Sequence, residues 1–264
     1  MEQKMERIAI KGVPIAYYDL QAEGATQRPV LVMHGFPGTA VGHMHVVIEA
    51  LRQDRRVIAP DLRGYGASRP PQRDFPVDFY QRDADDMAAL LDALGLRDLF
   101  VVGYSDGAES ALLLASRRPD LVHAVFAWGA CGIASEEQEE QCKDLLPVAE
   151  WGESRAAWRA EIVAIQGEEA LESLITGWVG GVNAIIAERN RDVSLSAASA
   201  IRCPVLLLNG AEERGNPPEA AKALVARIPK GELRFVPASG HAIQDDQPLV
   251  LLEAMQAFFA EHEG

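Results

Sequence analysis

A serine stands between two glycines in GYSDG, residues 103–107, after the apolar run LFVV and before AESALLLAS. A serine hydroxyl is a weak nucleophile until backbone geometry exposes it and a base comes within reach. A strand, then Gly-x-Ser-x-Gly, then a helix supplies that exposure. Gly103 and Gly107 let a tight turn approach neighbouring backbone, and the turn holds Ser105 Oγ above the sheet edge. The backbone N–H of Asp106, at the start of the helix, then faces the site and is an expected oxyanion donor. The competing expectation is a surface turn whose serine caps the following helix. Further upstream, HGFPG (34–38) bends the chain after PVLVM, which makes the Phe36 N–H the expected second oxyanion donor.

Such a serine needs a base, and the base needs an orienting acid. His241, in PASGHAIQDD after the run LRFVP, falls on a loop at a strand's carboxyl end, where it would take the Ser105 proton and return it to the leaving group. The plain alternative is a loop histidine bonded to nearby backbone. His34 is expected to hold its own loop by a hydrogen bond. His43 and His45 read as solvated or packing residues, with the mouth of the site as the alternative, while His123 and His262 compete poorly. PVLLLNGAEERGNPP (204–218) offers two acids between Ser105 and His241. Glu213 occupies the expected slot and Glu212 is its alternative, with chance surface charge also open. Asp245 and Asp246 follow His241, out of order but spatially possible.

The elements that position these groups are strand-like apolar runs at 29–34, 56–60, 99–103, 122–128, 204–210 and 233–237. Most are continuous rather than alternating, as in parallel strands covered by helices on both faces. Residues 78–95 place Ala84, Met87, Leu91 and Leu94 at helical spacing and end at Gly95. ALLLASRRPD reads as a helix stopped before Pro119, and LVLLEAMQAFFAEH as a last helix. The fold class is therefore α/β, with a mostly parallel central sheet flanked by helices. Residues 131–198 have helical periods and no convincing strand, so they read as a helical cap inserted into a core made of 1–130 and 199–264.

With 264 residues, 48% of them apolar, the chain can bury one substantial core. A formal net charge of −14 disfavours nucleic acid and anionic membrane and mildly favours neutral or cationic partners. Cys131, Cys142 and Cys203 lack the number and spacing of a disulfide framework or a zinc site. A reducing compartment fits, and no metal is expected. The N-terminal stretch has alternating strand character and no apolar leader core, and no later stretch is expected to reach membrane-spanning length. A cytoplasmic protein is the expectation, its oligomeric state open.

Four segments carry a resemblance: DLRGYGASRPPQRDFPVDFYQRDADD (61–86), GYSDGAESALLLASRRPD (103–120), FAWGA (126–130) and CPVLLLNG (203–210). Through them the chain resembles the α/β-hydrolase superfamily over essentially its full length, and within it the valacyclovir hydrolase, or biphenyl hydrolase-like, group. The resemblance implies a serine esterase preferring α-amino acid esters, with a small helical cap and no cofactor. It matches the nucleophile to Ser105 and the base to His241, and it puts Glu213 where the group has an aspartate. Glutamate serves as the acid elsewhere in the superfamily. It also implies that Asp106 binds the substrate's α-ammonium group. The alternative is that Asp106 favours the positive end of its helix.

Glu136, Glu137, Glu139, Glu140, Asp144 and Glu150 would lend the cap negative potential or form a solvated face. Trp151, Trp158 and Trp178 would line an acyl or alcohol pocket or pack cap on core. Arg63 reads as structural. The small-molecule substrate is therefore expected to be an ester, with a lactonase, general carboxylesterase or carbon–carbon bond hydrolase as alternatives. A serine at 105 speaks against an epoxide hydrolase or dehalogenase, which would place an acid there. A hydrolase-shaped ligand-binding protein without turnover is the remaining alternative.

Overall fold

Successive side chains of a strand point to opposite faces, so a continuous apolar run feeds two cores at once. In the computed structural model, which describes residues 5–264, the runs behave this way. The first four residues of the N-terminal strand-like stretch lie outside the described residues. Val30, Val32, Phe100, Val102, Phe126 and Leu206 enter one core. Their neighbours Leu31, Met33, Val101, Val125 and Leu207 enter the other. Each fully buried side chain of this size contributes roughly 1.5–3 kcal/mol.

The strands are β1 (Met5–Ile10), β2 (Val13–Leu20), β3 (Gln27–Met33), β4 (Arg55–Pro60), β5 (Leu99–Tyr104), β6 (Val122–Trp128), β7 (Val205–Gly210) and β8 (Gly231–Val236). They form one sheet in the order β1-β2-β4-β3-β5-β6-β7-β8. β1 and β2 pair antiparallel, as do β2 and β4, and β3 to β8 run parallel. The first face is covered by α2 (Phe79–Ala93), α3 (Asp106–Arg117) and α7 (Pro218–Val225). The second is covered by α1 (Ala40–Leu51), the short α8 (Ile243–Asp246) and α9 (Pro248–His262).

Strand order then locates a crevice. β3 and β5 are neighbours although β4 lies between them in sequence, so the connections leave in opposite directions and part at the strands' carboxyl ends. The loop after β3 carries HGFPG, and the turn after β5 carries Ser105.

Between β6 and β7 the chain leaves the sheet for α4 (Glu136–Asp144), α5 (Ala156–Gln166) and α6 (Glu168–Glu188), with 3-10 turns at Val148–Glu150 and Glu153–Arg155. An isolated bridge between Ile133 and Asp192 closes the neck of this insertion. The helix α6 docks through its glycines: a Cβ on Gly177 or Gly181 would lie 2.8 Å from the Phe75 side chain. By length and composition α6, with 21 residues, is long and apolar enough to cross a membrane, which corrects the expectation that no stretch reaches that length. Its apolarity has an internal use, because Leu171, Leu174, Ile175, Val182 and Ile185 are buried in the protein's own core.

Candidate active site

Ser105 has φ 55° and ψ −121°, a conformation that costs a non-glycine residue about 1–3 kcal/mol and persists only where surroundings enforce it. Here they do. A Cβ on Gly103 would lie 2.5 Å from Gly107 O, and one on Gly107 would lie 2.4 Å from Met33 O. The Ser105 N–H donates to Trp128 O at 2.9 Å, and its carbonyl accepts from Ala108 and Glu109 N–H. Although Ser105 occupies the N-cap position of α3, its side chain makes no capping bond. Its Oγ lies 2.9 Å from His241 Nε2 instead.

His241 follows β8, and its Nδ1 lies 2.5 Å from Glu213 Oε2 on the loop after β7. The Nδ1–H donated to that carboxylate leaves the Nε2 lone pair facing the serine hydroxyl, which is the tautomer a general base requires. Glu213 is nearly enclosed, and burial alone would raise its pKa. The His241 hydrogen bond and charge, the Gly215 N–H and the Asn216 side chain outweigh burial and hold it below the usual glutamate range. Glu212 is exposed and its backbone N–H donates to Ser239 O, so of the two glutamates it is Glu213 that reaches the histidine. Asp246 accepts from Gly240 N–H at 2.8 Å and braces the histidine loop from behind.

Among the described residues, no intramolecular bond uses the backbone N–H of Phe36 or Asp106, the two expected oxyanion donors. The loop carrying Phe36 is held on its first side by His34. Leu62 N–H donates to His34 Nε2, so Nδ1 carries the proton and donates to Gly35 O, both at 2.9 Å. Burial lowers the His34 pKa to about 4, so the ring is a neutral brace rather than a base. His43 packs edge-on to Tyr104 and is likewise pushed by burial to about 3.

Asp106 projects into a cavity of about 500 Å³ together with Ser105 and His241. Its Oδ1 accepts from Tyr80 OH at 2.8 Å and its Oδ2 from Trp178 Nε1 at 3.0 Å. Burial raises its pKa to about 6 against those two bonds and the nearby positive charge of Arg73. Arg73 is itself buried in a bidentate pair with Asp83, 2.7 Å at each end. Trp178 stacks on Phe36 with ring centroids 4.9 Å apart, and Trp158 also lines the cavity. Trp151 instead stacks on Trp158 and donates to Leu145 O. Of the acidic cap residues only Asp144 borders the cavity. Glu139 and Glu140 pair with Arg191 and Lys143. Arg63 forms a bidentate pair with Asp86, in keeping with a structural role.

A family model for the alpha/beta hydrolase fold matches residues 28–165, just over half of the chain. The chain belongs to the α/β-hydrolase family. The narrower resemblance read from the sequence is also present, since serine hydrolase BPHL of Mus musculus is 28% identical over 236 residues, covering 89% of this chain and 79% of that protein. The 2-hydroxymuconate semialdehyde hydrolase of Pseudomonas sp. (strain CF600) is 30% identical over 256 residues, covering 89% and 88%. Among solved structures, a thermophilic esterase from Thermogutta terrifontis superposes with a TM-score of 0.75 at 23% identity, covering 99% of this chain and all of that one. This α/β hydrolase is a carboxylic ester hydrolase of the serine type, acting on small esters or similar substrates.

Several residues of the hydrolase site escape a reading by motif. Tyr80 sits on the apolar face of α2 and looks like core until Asp106 is placed against it. Glu109, one turn beyond Asp106, is buried and accepts from the N–H groups of Cys131 and Gly132 and from the Ser194 hydroxyl, which pins the entrance and exit of the cap to α3. Ser135 caps α4 and also donates to Gly215 O, beside Glu213. A charged residue inside the apolar run AESALLLAS is the one available sequence signal, and it points to Glu109.

Proposed function

We propose that this hydrolase cleaves α-amino acid esters through an acyl-enzyme, with Ser105 as nucleophile, His241 as general base and acid, and Glu213 as the orienting acid. Ser105 Oγ bonds to the ester carbonyl carbon while its proton passes to His241 Nε2, and the carbonyl π pair moves onto oxygen. The N–H groups of Phe36 and Asp106 stabilise that oxyanion. The oxyanion pair then re-forms the carbonyl, the carbon–alcohol oxygen bond breaks, and His241 protonates the departing alcohol. Water gives a proton to the same ring as its oxygen bonds to the acyl carbon. The bond from that carbon to Ser105 Oγ then breaks while His241 returns the proton to Oγ, which releases the acid and restores the serine. Glu213 keeps the ring in its tautomer and balances the imidazolium charge throughout.

The assignment to amino esters rests on one observation: a buried carboxylate, Asp106, follows the nucleophile and opens onto the same cavity. Two oriented donors, Tyr80 OH and Trp178 N–H, hold it in place. An unpaired buried charge is costly, and a substrate ammonium would complete its coordination. Matched phenylalanyl and 3-phenylpropionyl benzyl esters differ only in the α-amino group. The amino ester is expected to have a higher kcat/KM by roughly tenfold to a hundredfold, the value of a charge-assisted hydrogen bond, and Asp106→Asn should remove most of that ratio.

The ratio should also depend on pH. A carboxyl near 6 is mostly ionised at pH 7.5 and protonated at pH 5, so the preference should fade as pH falls through 6. Titration of the shared triad cancels in the ratio. Equal rates for the two esters at pH 7.5 would sink the amino ester reading. That outcome would favour the second reading, a hydrolase of amino-free substrates, which draws on the relative named as a 2-hydroxymuconate semialdehyde hydrolase.

A further inference from the structure

Gln166 is the last residue of α5 in the inserted helical region, yet its side chain is 1% exposed and lies against loops of the core. Its Nε2 donates to Pro37 O and to Gly38 O, each at 2.9 Å. Its Oε1 accepts from Gly66 N–H at 3.0 Å. Each group of the amide therefore meets a backbone partner of the right kind, two in the loop after β3 and one in the DLRGYG loop. The residue between the two anchored halves of the first loop is Phe36. His34 and Gly38 N–H fix Gly35 O on one side of it, and Gln166 fixes the carbonyls of residues 37 and 38 on the other.

We propose that Gln166 is a positioning residue for the oxyanion hole: it aims the Phe36 N–H at the developing oxyanion and makes that aim depend on the seating of α5. This rests on the assignment of the Phe36 N–H as an oxyanion donor. A donor that drifts from its line loses transition-state stabilisation while ground-state binding in the cavity is little changed, so the effect belongs in kcat.

The test uses full-length protein and p-nitrophenyl acetate, which carries no amino group, so the result is independent of Asp106. Gln166→Met keeps the shape and removes all three bonds. Its kcat is expected to fall by about tenfold to a hundredfold, less than for outright loss of a donor, with KM within about twofold. Affinity for phenylboronic acid, whose adduct with a serine is tetrahedral, should fall in parallel. Gln166→Glu supplies a partial rescue. The protonated carboxyl can donate to one loop carbonyl, whereas the ionised form sets a negative charge against both. Its kcat relative to wild type should therefore rise as pH falls, and that of Gln166→Met should stay flat. A lowered melting temperature with wild-type kcat and boronate affinity in Gln166→Met would overturn the proposal and leave only a structural brace. If Gln166→Met does not fold, a pH-independent kcat ratio in Gln166→Glu overturns it equally. A wild-type protein that neither turns over the ester nor reacts with a fluorophosphonate would instead overturn the serine mechanism beneath it.

Discussion

Ser105→Ala is expected to lower kcat for ester hydrolysis by about 10⁵- to 10⁶-fold and to abolish labelling by a fluorophosphonate, while binding of uncleaved ester is retained. The size follows from the way a nucleophile and its base act as one unit, so that loss of either removes covalent catalysis and leaves only what the oxyanion donors and binding supply. Stopped-flow turnover and active-site labelling measure it, and a labelled alanine variant would refute the assignment. Stability offers an independent check on the elbow. Alanine at 105 keeps the strain of a positive φ, whereas glycine adopts it freely. Ser105→Gly should therefore unfold about 1 kcal/mol harder than Ser105→Ala in urea, the two being equally inactive.

Glu213→Gln should cost about 10³- to 10⁴-fold in kcat, a magnitude taken from the loss of an orienting carboxylate in other serine hydrolases. Glu213 Oε2 accepts the Nδ1 proton of His241, and an amide in its place can present N–H to that nitrogen instead. The ring proton then moves to Nε2 and faces the Ser105 hydroxyl, so the base has no lone pair where it is needed. Glu213→Asp retains the charge but withdraws it by one methylene, and a milder loss of about tenfold to a hundredfold is expected. A steady-state comparison of the two variants at neutral pH separates charge from reach. If Glu213→Gln keeps wild-type kcat, the orienting acid lies elsewhere. Because Glu213 is held ionised by its partners against burial, its charge is present across the neutral range in which these assays are run.

These effects come from one architectural fact. Ser105, Glu213 and His241 follow β5, β7 and β8, and the HGFPG loop follows β3, all at the same end of a parallel sheet. Parallel strands place every such loop on one side, so groups more than a hundred residues apart converge without any local signal. The inserted helices add a second layer of contacts to the same loops, through Trp178 on Asp106, Ser135 on Gly215 and Gln166 on Pro37 and Gly38.

What could be read from the chain itself was local. The elbow was legible because GYSDG is a requirement on consecutive backbone dihedrals and close approach, and the sheet was legible because continuous apolar runs such as LFVV suit strands buried on both faces. Chain order pointed to His241 and to the pair Glu212 and Glu213 as candidates. The choice between Glu212 and Glu213 did not, since neighbouring side chains leave a loop in different directions, and only the path after β7 decides which one meets the ring. The same holds for Tyr80, Glu109 and Gln166, each of which pairs with a group 22 to 129 residues away. The apolar length of α6 also carried two meanings until its buried stripe was placed against the protein's own core. Propensity and pattern act over a few residues and so determine elements. Partners across the fold are set by strand order and crossover paths, and these exist only once the chain has packed.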